Sequence, residues 1–303
     1  MTTPIPINLT AVAEPLPDPR IINGKKLAED IKAELRSTIL AEKLEPNLAV
    51  ILVGDDPASH LYVKMKEAAC KLVGITFHKY LLPEAATLEQ VHHTIDWLND
   101  DEEVDAILLQ LPLPAHLSED ELVTRIKPDK DVDGFTQENI KLLLADTPRL
   151  IPGLVLGVIK LLEATGETLT SKQALVIAKS PIFTEPLAHV LRSKVAAVKT
   201  IAPDDPELKA HAVQADIIIT AIGQAKSITV EMIKPDAIVI DIGINKDEFG
   251  ATVGDVDFAA VLPLVSHITP VPGGVGPMTV AMLLYNTVVL AQNLTNTAKE
   301  SKI

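Results

Sequence analysis

The sequence predicts two α/β domains, the second a doubly wound parallel sheet, with a C-terminal helix packing back on the first. Three observations lead there. Segments with apolar residues at helical spacing alternate with short β-rich runs along most of the chain. At 303 residues and 47% hydrophobic content, the chain exceeds what one core usually organises. Near its middle, Pro148 and Pro152 flank Arg149 to Ile151 ahead of a new helical pattern, a stiff junction.

The expected division is a flexible tail over 1–20, rich in proline at positions 4, 6, 15, 17 and 19, with no basic region leading into an apolar stretch as a secretory signal would have. A first domain over 21–150 follows, completed by the C-terminal helix 278–293. A nucleotide-binding domain occupies 151–277.

Leu27, Ile31, Leu35 and Ile39 recur every four residues and mark the first helix. Leu48 to Val53 is an apolar strand ending at Gly54. Asp56 and Pro57 form an N-cap and N1 pair and Gly74 a stop, bracketing a helix whose expected buried stripe is Leu61, Met65, Ala68 and Leu72. Thr87 and Gln90 have capping-box spacing and open a helix with Leu88, Val91, Ile95 and Leu98 inside. Ala106 to Leu109 is the next strand. Leu154, Val158, Leu161 and Leu162 then mark the helix after the junction, followed by strands expected at 174–178, 196–201, 217–221 and 237–242. A last helix follows Met278, with Val280, Leu283, Leu284, Thr287, Val288 and Ala291 on its apolar side.

Composition narrows the function. With 27 basic and 41 acidic residues the formal charge is -14, a field that repels nucleic acid and anionic membranes and favours a small-molecule ligand. One cysteine, Cys70, excludes an intrachain disulfide, and the short apolar runs argue against membrane spans, so a reducing cytoplasm is the expected home. No cluster has metal-ligand spacing, and His92 and His93 read as a surface pair.

Tyr62 and Lys66, four apart, share one face of their helix and can address one ligand, although on spacing alone most such pairs are a packing tyrosine beside a surface lysine. Gln110 stands at the carboxyl end of Ala106 to Leu109, where open α/β sheets bind ligands. Its neutral amide can orient an ammonium or cap loop backbone. The run Lys130, Asp131, Val132, Asp133, Gly134 reads, in isolation, as an acidic loop. Three prolines and three glycines between Pro270 and Thr279 suit either backbone approach to a ligand or an inter-domain turn.

Together these segments resemble the bifunctional methylenetetrahydrofolate dehydrogenase/methenyltetrahydrofolate cyclohydrolase family. Tyr62 to Lys66 is similar to its Y-x-x-x-K helix, Leu109 to Pro112 to its strand-end motif and Lys130 to Gly134 to its K-D-V-D-G loop. Asp241 to Asn245, Val253 to Asp255 and Pro270 to Thr279 follow in family order. The resemblance implies Lys66 as the acid/base group, Tyr62 as its pocket partner, Gln110 as the group that tunes Lys66, and Asp133 as the acceptor for the pterin edge. Pro272, Gly273 and Gly274 would line the folate site. It further implies a Rossmann-like second domain, folate one-carbon substrates, NADP or NAD as cofactor and a homodimer. The reactions implied are oxidation of 5,10-methylenetetrahydrofolate and hydrolysis of the methenyl form to 10-formyltetrahydrofolate.

The coenzyme side departs from the pattern. The residues implied to bind cofactor are Ala178, Lys179, Ser180 and Ile244, yet the family's G-R-S-x-x-V-G-x-P loop here reads Ala178 to Pro186, with both glycines replaced. Thr184 adds bulk, Pro181 removes a donor and Glu185 adds like charge. Asp204 and Asp205 stand where a 2′-phosphate would be received, and the family's P-C-T-P segment is Pro152 to Val155. The expectation is a cyclohydrolase with a weakened or absent dehydrogenase; the alternative is a silent folate-binding or dimer-partner paralogue. An unrelated dehydrogenase would need a phosphate-cradling glycine loop, which is missing.

Overall fold

The computed structural model describes the backbone of residues 18–300 and side chains from 18 to 293. The expected N-terminal tail lies, through residue 17, outside the described residues. The chain opens on α1 (Gly24–Glu42), which Asn23 caps by accepting from the Lys26 amide at 2.9 Å. It continues through β1 (Asn47–Val53), α2 (Pro57–Val73), β2 (Thr76–Leu82), α3 (Leu88–Asp100) and β3 (Ala106–Leu109). These strands form a parallel sheet in the order β2-β1-β3. β1 is central and buried on both faces, which is why Leu48 to Val53 reads as an unbroken apolar run.

The local signals for these helices work as expected. Asp56 accepts from the Ser59 amide at 2.8 Å, Pro57 begins α2, and Gly74 ends it at φ 95°, a left-handed conformation that glycine adopts without strain. Thr87 and Gln90 form the reciprocal capping box of α3. The edge strand β2 carries no strong sequence signal, because exposed and half-buried residues are mixed along it.

The stripe expected to bury α2 is a correction. Leu61, Met65 and Leu72 are 59%, 51% and 57% exposed, and Ala68 is exposed as well. The helix instead buries Ser59, Val63, Cys70 and Val73. Two apolar stripes compete on this helix, and small and β-branched residues make the close-packed face against the sheet and α1.

After α4 (Glu119–Arg125) and α5 (Gln137–Leu144), α6 (Gly153–Glu163) begins directly beyond the Pro148–Pro152 junction. Then come β4 (Gln173–Ala178), α7 (Pro181–Arg192), β5 (Ala197–Ile201), α8 (Leu208–Ala212), β6 (Ile217–Ala221) and β7 (Ile238–Asp241). A short hairpin of β8 (Asn245–Lys246) and β9 (Thr252–Val253) precedes α9 (Phe258–Val261), β10 (His267–Ile268) and α10 (Val275–Glu300). The second sheet is parallel throughout, ordered β10-β7-β6-β4-β5. The chain leaves β4 toward β5 on one side and resumes at β6 on the other, so the switch point lies at the carboxyl ends of β4 and β6.

α10 begins at Val275, three residues before the expected start. Its first half contributes Val275, Met278, Ala281 and Met282 to the core against α6, and its second half Leu283, Leu284, Val288 and Leu290 to the core under the first sheet. The helix therefore joins both layers. The stretch Val275–Asn293 is long and apolar enough to cross a membrane, with mean hydropathy 1.3, but it is largely buried here, as a core helix would be.

Candidate functional site

The site forms where α2 passes the carboxyl end of β3. The Gln110 amide donates to the Ile51 carbonyl at 2.9 Å, so Gln110 is anchored one residue beyond β3. Its Nε2 donates to the Leu111 carbonyl at 2.6 Å, which leaves Oε1 to accept from Lys66 Nζ at 2.7 Å. The capping at both ends of α2 fixes the helix register that brings Lys66 there, with Tyr62 one turn earlier and 43% exposed.

Burial lowers the Lys66 pKa, because the ammonium loses hydration, while the nearby charge of Asp133 opposes that shift. Burial likewise raises the Asp133 carboxyl to about 6, opposed by Lys66 and reinforced by Asp131. The two groups thus sense each other and both move toward neutrality, as acid/base sites require. One turn past Lys66, buried Cys70 is pushed up to about 12 by burial, a neutral thiol that packs as an apolar group.

The Lys130 to Gly134 loop divides into scaffold and site. Lys130 Nζ donates to the Leu98 and Asp101 carbonyls at 3.0 and 2.6 Å. Asp131, 2% exposed, accepts from the amides of Gly134 and Thr136 at 2.9 and 2.8 Å and from Asn139 Nδ2 at 3.0 Å. Among the described residues, Asp133 accepts no hydrogen bond, and it is the carboxylate free to meet a ligand. The acidic-loop reading therefore holds for two of the three charged residues.

Pro272 to Gly274 links β10 to α10. The Gly273 carbonyl accepts from the Lys25 amide at 2.9 Å, and a Cβ on Gly274 would lie 2.6 Å from the Pro270 carbonyl oxygen and 2.7 Å from Thr269 Cβ. Gly274 thus lets its loop fold tightly on itself, and Gly24, whose Cβ would overlap the Gly274 carbonyl, lets the start of α1 pack against it. No hydrogen bond joins this segment to Lys66, Gln110 or Asp133 among the described residues.

At the second sheet's switch point, Ala178 ends β4 buried, while Lys179 and Ser180 are exposed. Ser180 is the N-cap of α7 but makes no side-chain cap, and Pro181 at the first helical position has no N–H. The Phe183 and Thr184 amides already donate to the Ser180 carbonyl at 3.2 and 3.0 Å. Within this first turn, only the Ile182 amide has no partner among the described residues. Glu185 is exposed on the same turn, and Ile244 lies 59% exposed at the base of the β8–β9 hairpin. Asp204 and Asp205 follow β5, with Asp205 Oδ1 accepting from the Glu207 amide at 2.8 Å.

A cleft of about 710 Å³ runs between these regions, with Leu109, Leu111, Asp133 and Phe135 on one wall and Ser180, Pro181, Ile182 and Glu185 on the other. Its lining carries Glu119, Asp120, Asp131, Asp133 and Glu185 beside Lys141, so acidic side chains outnumber basic ones along it. Lys66 and Gln110 stand outside this lining, and Asp133 is the site residue shared with it.

Two buried carboxylates organise the second sheet's ligand edge without having been singled out as functional from sequence. Asp255 accepts from the amides of Ile222, Gly223 and Gln224 at 2.6, 3.0 and 3.1 Å and from Asn245 Nδ2 at 3.0 Å. Asp241 accepts from Gly243, Asp255 and Val256 amides at 2.9, 3.0 and 2.9 Å, and burial raises its carboxyl to about 6. A polar residue closing an otherwise apolar strand was the available signal for Asp241.

The catalytic domain of tetrahydrofolate dehydrogenase/cyclohydrolase matches residues 22–133, and the NAD(P)-binding domain of the same family matches residues 152–295. A bifunctional FolD protein from Geobacillus thermodenitrificans is 44% identical over 278 residues, covering 91% of this chain and 98% of the relative. The crystal structure of a FolD methylenetetrahydrofolate dehydrogenase/cyclohydrolase from Campylobacter jejuni superposes with TM-score 0.86 at 43% identity, covering 90% of this chain and 98% of that one. That of a Trypanosoma brucei FolD, complexed with NADP cofactor and inhibitor, gives 0.85 at 32% identity over 90% and 97% of the two chains. With both domains matched in order and sequence identity sustained over nine-tenths of its length, this chain belongs to the tetrahydrofolate dehydrogenase/cyclohydrolase family.

Proposed function

We propose that this chain hydrolyses 5,10-methenyltetrahydrofolate to 10-formyltetrahydrofolate, with Lys66 as the group that moves protons. The observation that carries this reading is the 2.7 Å contact between Lys66 Nζ and the oriented Gln110 Oε1, with the Lys66 pKa lowered by burial. Burial disfavours the Lys66 ammonium, and in its neutral form the lysine can take a proton from water attacking the carbon that bridges N5 and N10. As the C–N5 bond breaks, the hydroxyl proton moves to N5 and the formyl group remains on N10; the proton held by Lys66 passes to solvent. Asp133, unpartnered and at the cleft wall, has acceptor atoms for the N–H and amino donors of a pterin edge. Tyr62 offers a ring on the Lys66 face of α2. Pro272 to Gly274 would line the same pocket.

A nicotinamide dinucleotide, which supplies a hydride acceptor to relatives with the oxidation step, does not fit the β4–α7 turn as built. Phosphate binding at a helix start needs free amides and close backbone approach. Here the first turn offers one free amide, Pro181 lacks a donor, and exposed Glu185 opposes a pyrophosphate. Lys179 compensates only with a point charge. We therefore assign the chain the hydrolytic reaction and derive no step through the dinucleotide. The silent-paralogue alternative has no support in the comparisons.

The test is methenyltetrahydrofolate hydrolysis by purified protein, corrected for the spontaneous rate, beside fluorescence titration with NADP and NAD. Hydrolysis above the buffer rate with no submillimolar dinucleotide binding is expected. No excess hydrolysis sinks the first assignment; submillimolar binding with methylenetetrahydrofolate-dependent reduction sinks the second.

A further inference from the structure

We propose that Asn286, halfway along α10, is a positioning residue for the folate reaction, holding the backbone beside Asp133 and locking it to the junction between the two sheets. This rests on the proposed folate site and states how that site is held in place.

Asn286 is fully buried among apolar neighbours of α10 such as Leu283, Leu284 and Val288. Its Nδ2 donates to the Val132 carbonyl at 3.0 Å and to the Ile151 carbonyl at 3.1 Å. Val132 directly precedes Asp133, and Ile151 lies two residues before α6, so one amide grips both the substrate-facing loop and the inter-sheet junction. The same two stretches meet again on another side. Arg149 Nη1 donates to Asn139 Oδ1 at 2.7 Å, and Asn139 Nδ2 reaches Asp131 Oδ2 at 3.0 Å. Between these clamps Gly134 lies against the junction, where a Cβ would come 3.3 Å from Pro152 Cα. Asp133 is therefore held from both flanks, while its own carboxylate stays free.

The choice of residue separates positioning from packing. Asn286 Oδ1 is buried without a hydrogen-bond partner. That is a cost a leucine of similar shape would avoid while packing against the same core. What the amide adds is a fixed distance between two carbonyls 19 residues apart in sequence, Val132 and Ile151. Because α10 also carries the core contacts of both sheets, a shift of the helix moves Asp133 with it.

The experiment compares wild type with Asn286→Leu and Asn286→Ala in methenyltetrahydrofolate hydrolysis across pH, with thermal unfolding in parallel. Loss of the donor is expected to raise KM by roughly tenfold while kcat changes by less than about threefold. The acid limb of kcat/KM should also move to higher pH, because Asp133 drifts from Lys66, its facing cation, while Asp131 stays in place. A lowered melting temperature with unchanged KM and an unmoved acid limb would mean Asn286 is merely structural and would overturn the proposal. If Asn286→Leu does not fold, Asn286→Ala, which removes the donor without adding bulk or charge, carries the same comparison. A wild type without hydrolysis would overturn the functional reading instead; the Kd for 10-formyltetrahydrofolate then decides, and equal values in wild type and variants, or no binding by any, would overturn the inference.

Discussion

The carboxyl ends of the two parallel sheets occupy equivalent places in the fold but have been built to opposite standards. At the first, Lys66, Gln110 and Asp133 come from a helix, a strand end and a loop; hydrogen bonds orient the first two, and burial pushes the Asp133 carboxyl up to about 6. At the second, the turn from β4 to α7 presents exposed Lys179, Ser180 and Glu185 with a single free amide and no glycine. The contrast teaches that a fold fixes where a ligand would sit, while the chemistry at that place depends on whether side chains are dried, aimed and satisfied. Buried carboxylates still brace the second edge, since Asp241 and Asp255 remain fully hydrogen-bonded. The second domain is thus braced by buried carboxylates where they hold its loops, while the β4–α7 turn presents few backbone donors.

The strongest way to break this comparison is Lys66→Ala. If the first edge is the working one, removal of its proton-moving group should lower kcat by roughly 10²–10⁴-fold, the usual worth of general acid/base catalysis. Rates measured against the spontaneous background would check it, and retained activity would move the chemistry elsewhere. Melting temperature should change little, since Lys66 is only partly buried.

Asp133→Asn sharpens the comparison by separating function from stability. Losing a charged acceptor to two pterin donors should weaken substrate binding by roughly ten- to a hundredfold, the worth of about 1.5–3 kcal/mol for hydrogen bonds to a charged group. Stability should go the other way. Burial pushes the folded Asp133 carboxyl up to about 6 from its ordinary 3.8, so its charged form is disfavoured by folding. The stability linked to proton uptake is present at low pH and lost as pH rises through about 6. The asparagine variant should therefore melt higher than wild type at pH values well above 6, with the gap closing as the pH falls toward 3.8. A melting-temperature series across pH checks the sign.

These effects also explain what was legible in the sequence. The caps of α2 and α3 depend on residues three or four apart, so Asp56, Pro57, Gly74, Thr87 and Gln90 could be read directly. Buried strands such as β1 and β3 announce themselves as apolar runs. The face that α2 buries could not be read, because Leu61, Met65 and Leu72 score as core by hydrophobicity whereas the sheet accepts Val63, Cys70 and Val73. Lys66 and Gln110 were visible as a pair only through motif resemblance, since a contact across 44 positions has no local signature. Asn286, a polar residue inside an apolar helix, was visible and overlooked; its partners at 132 and 151 emerge only when the chain is folded.

The smallest effect expected, and the most direct probe of the second edge, comes from rebuilding its turn with Pro181→Ala and Thr184→Gly together. The first change returns an amide donor to the start of α7, and the second clears bulk from its first turn. One added hydrogen bond to a phosphate oxygen is worth about 1.5–3 kcal/mol at most, and glycine in a helix costs roughly 0.5–1 kcal/mol of stability. Glu185 remains as an opposing charge, so the gain in NADP affinity should be only a few-fold, accompanied by a slightly lowered melting temperature. Adding Glu185→Gln should then extend the gain, and the increment should shrink with salt, because the carboxylate is exposed and screened. If all three changes leave dinucleotide binding where it was, the turn is not what excludes the cofactor. The acidic cleft lined by Glu119, Asp120 and Asp131 then becomes the barrier to examine, and the contrast between the two edges lies in the field that surrounds them more than in the loop itself.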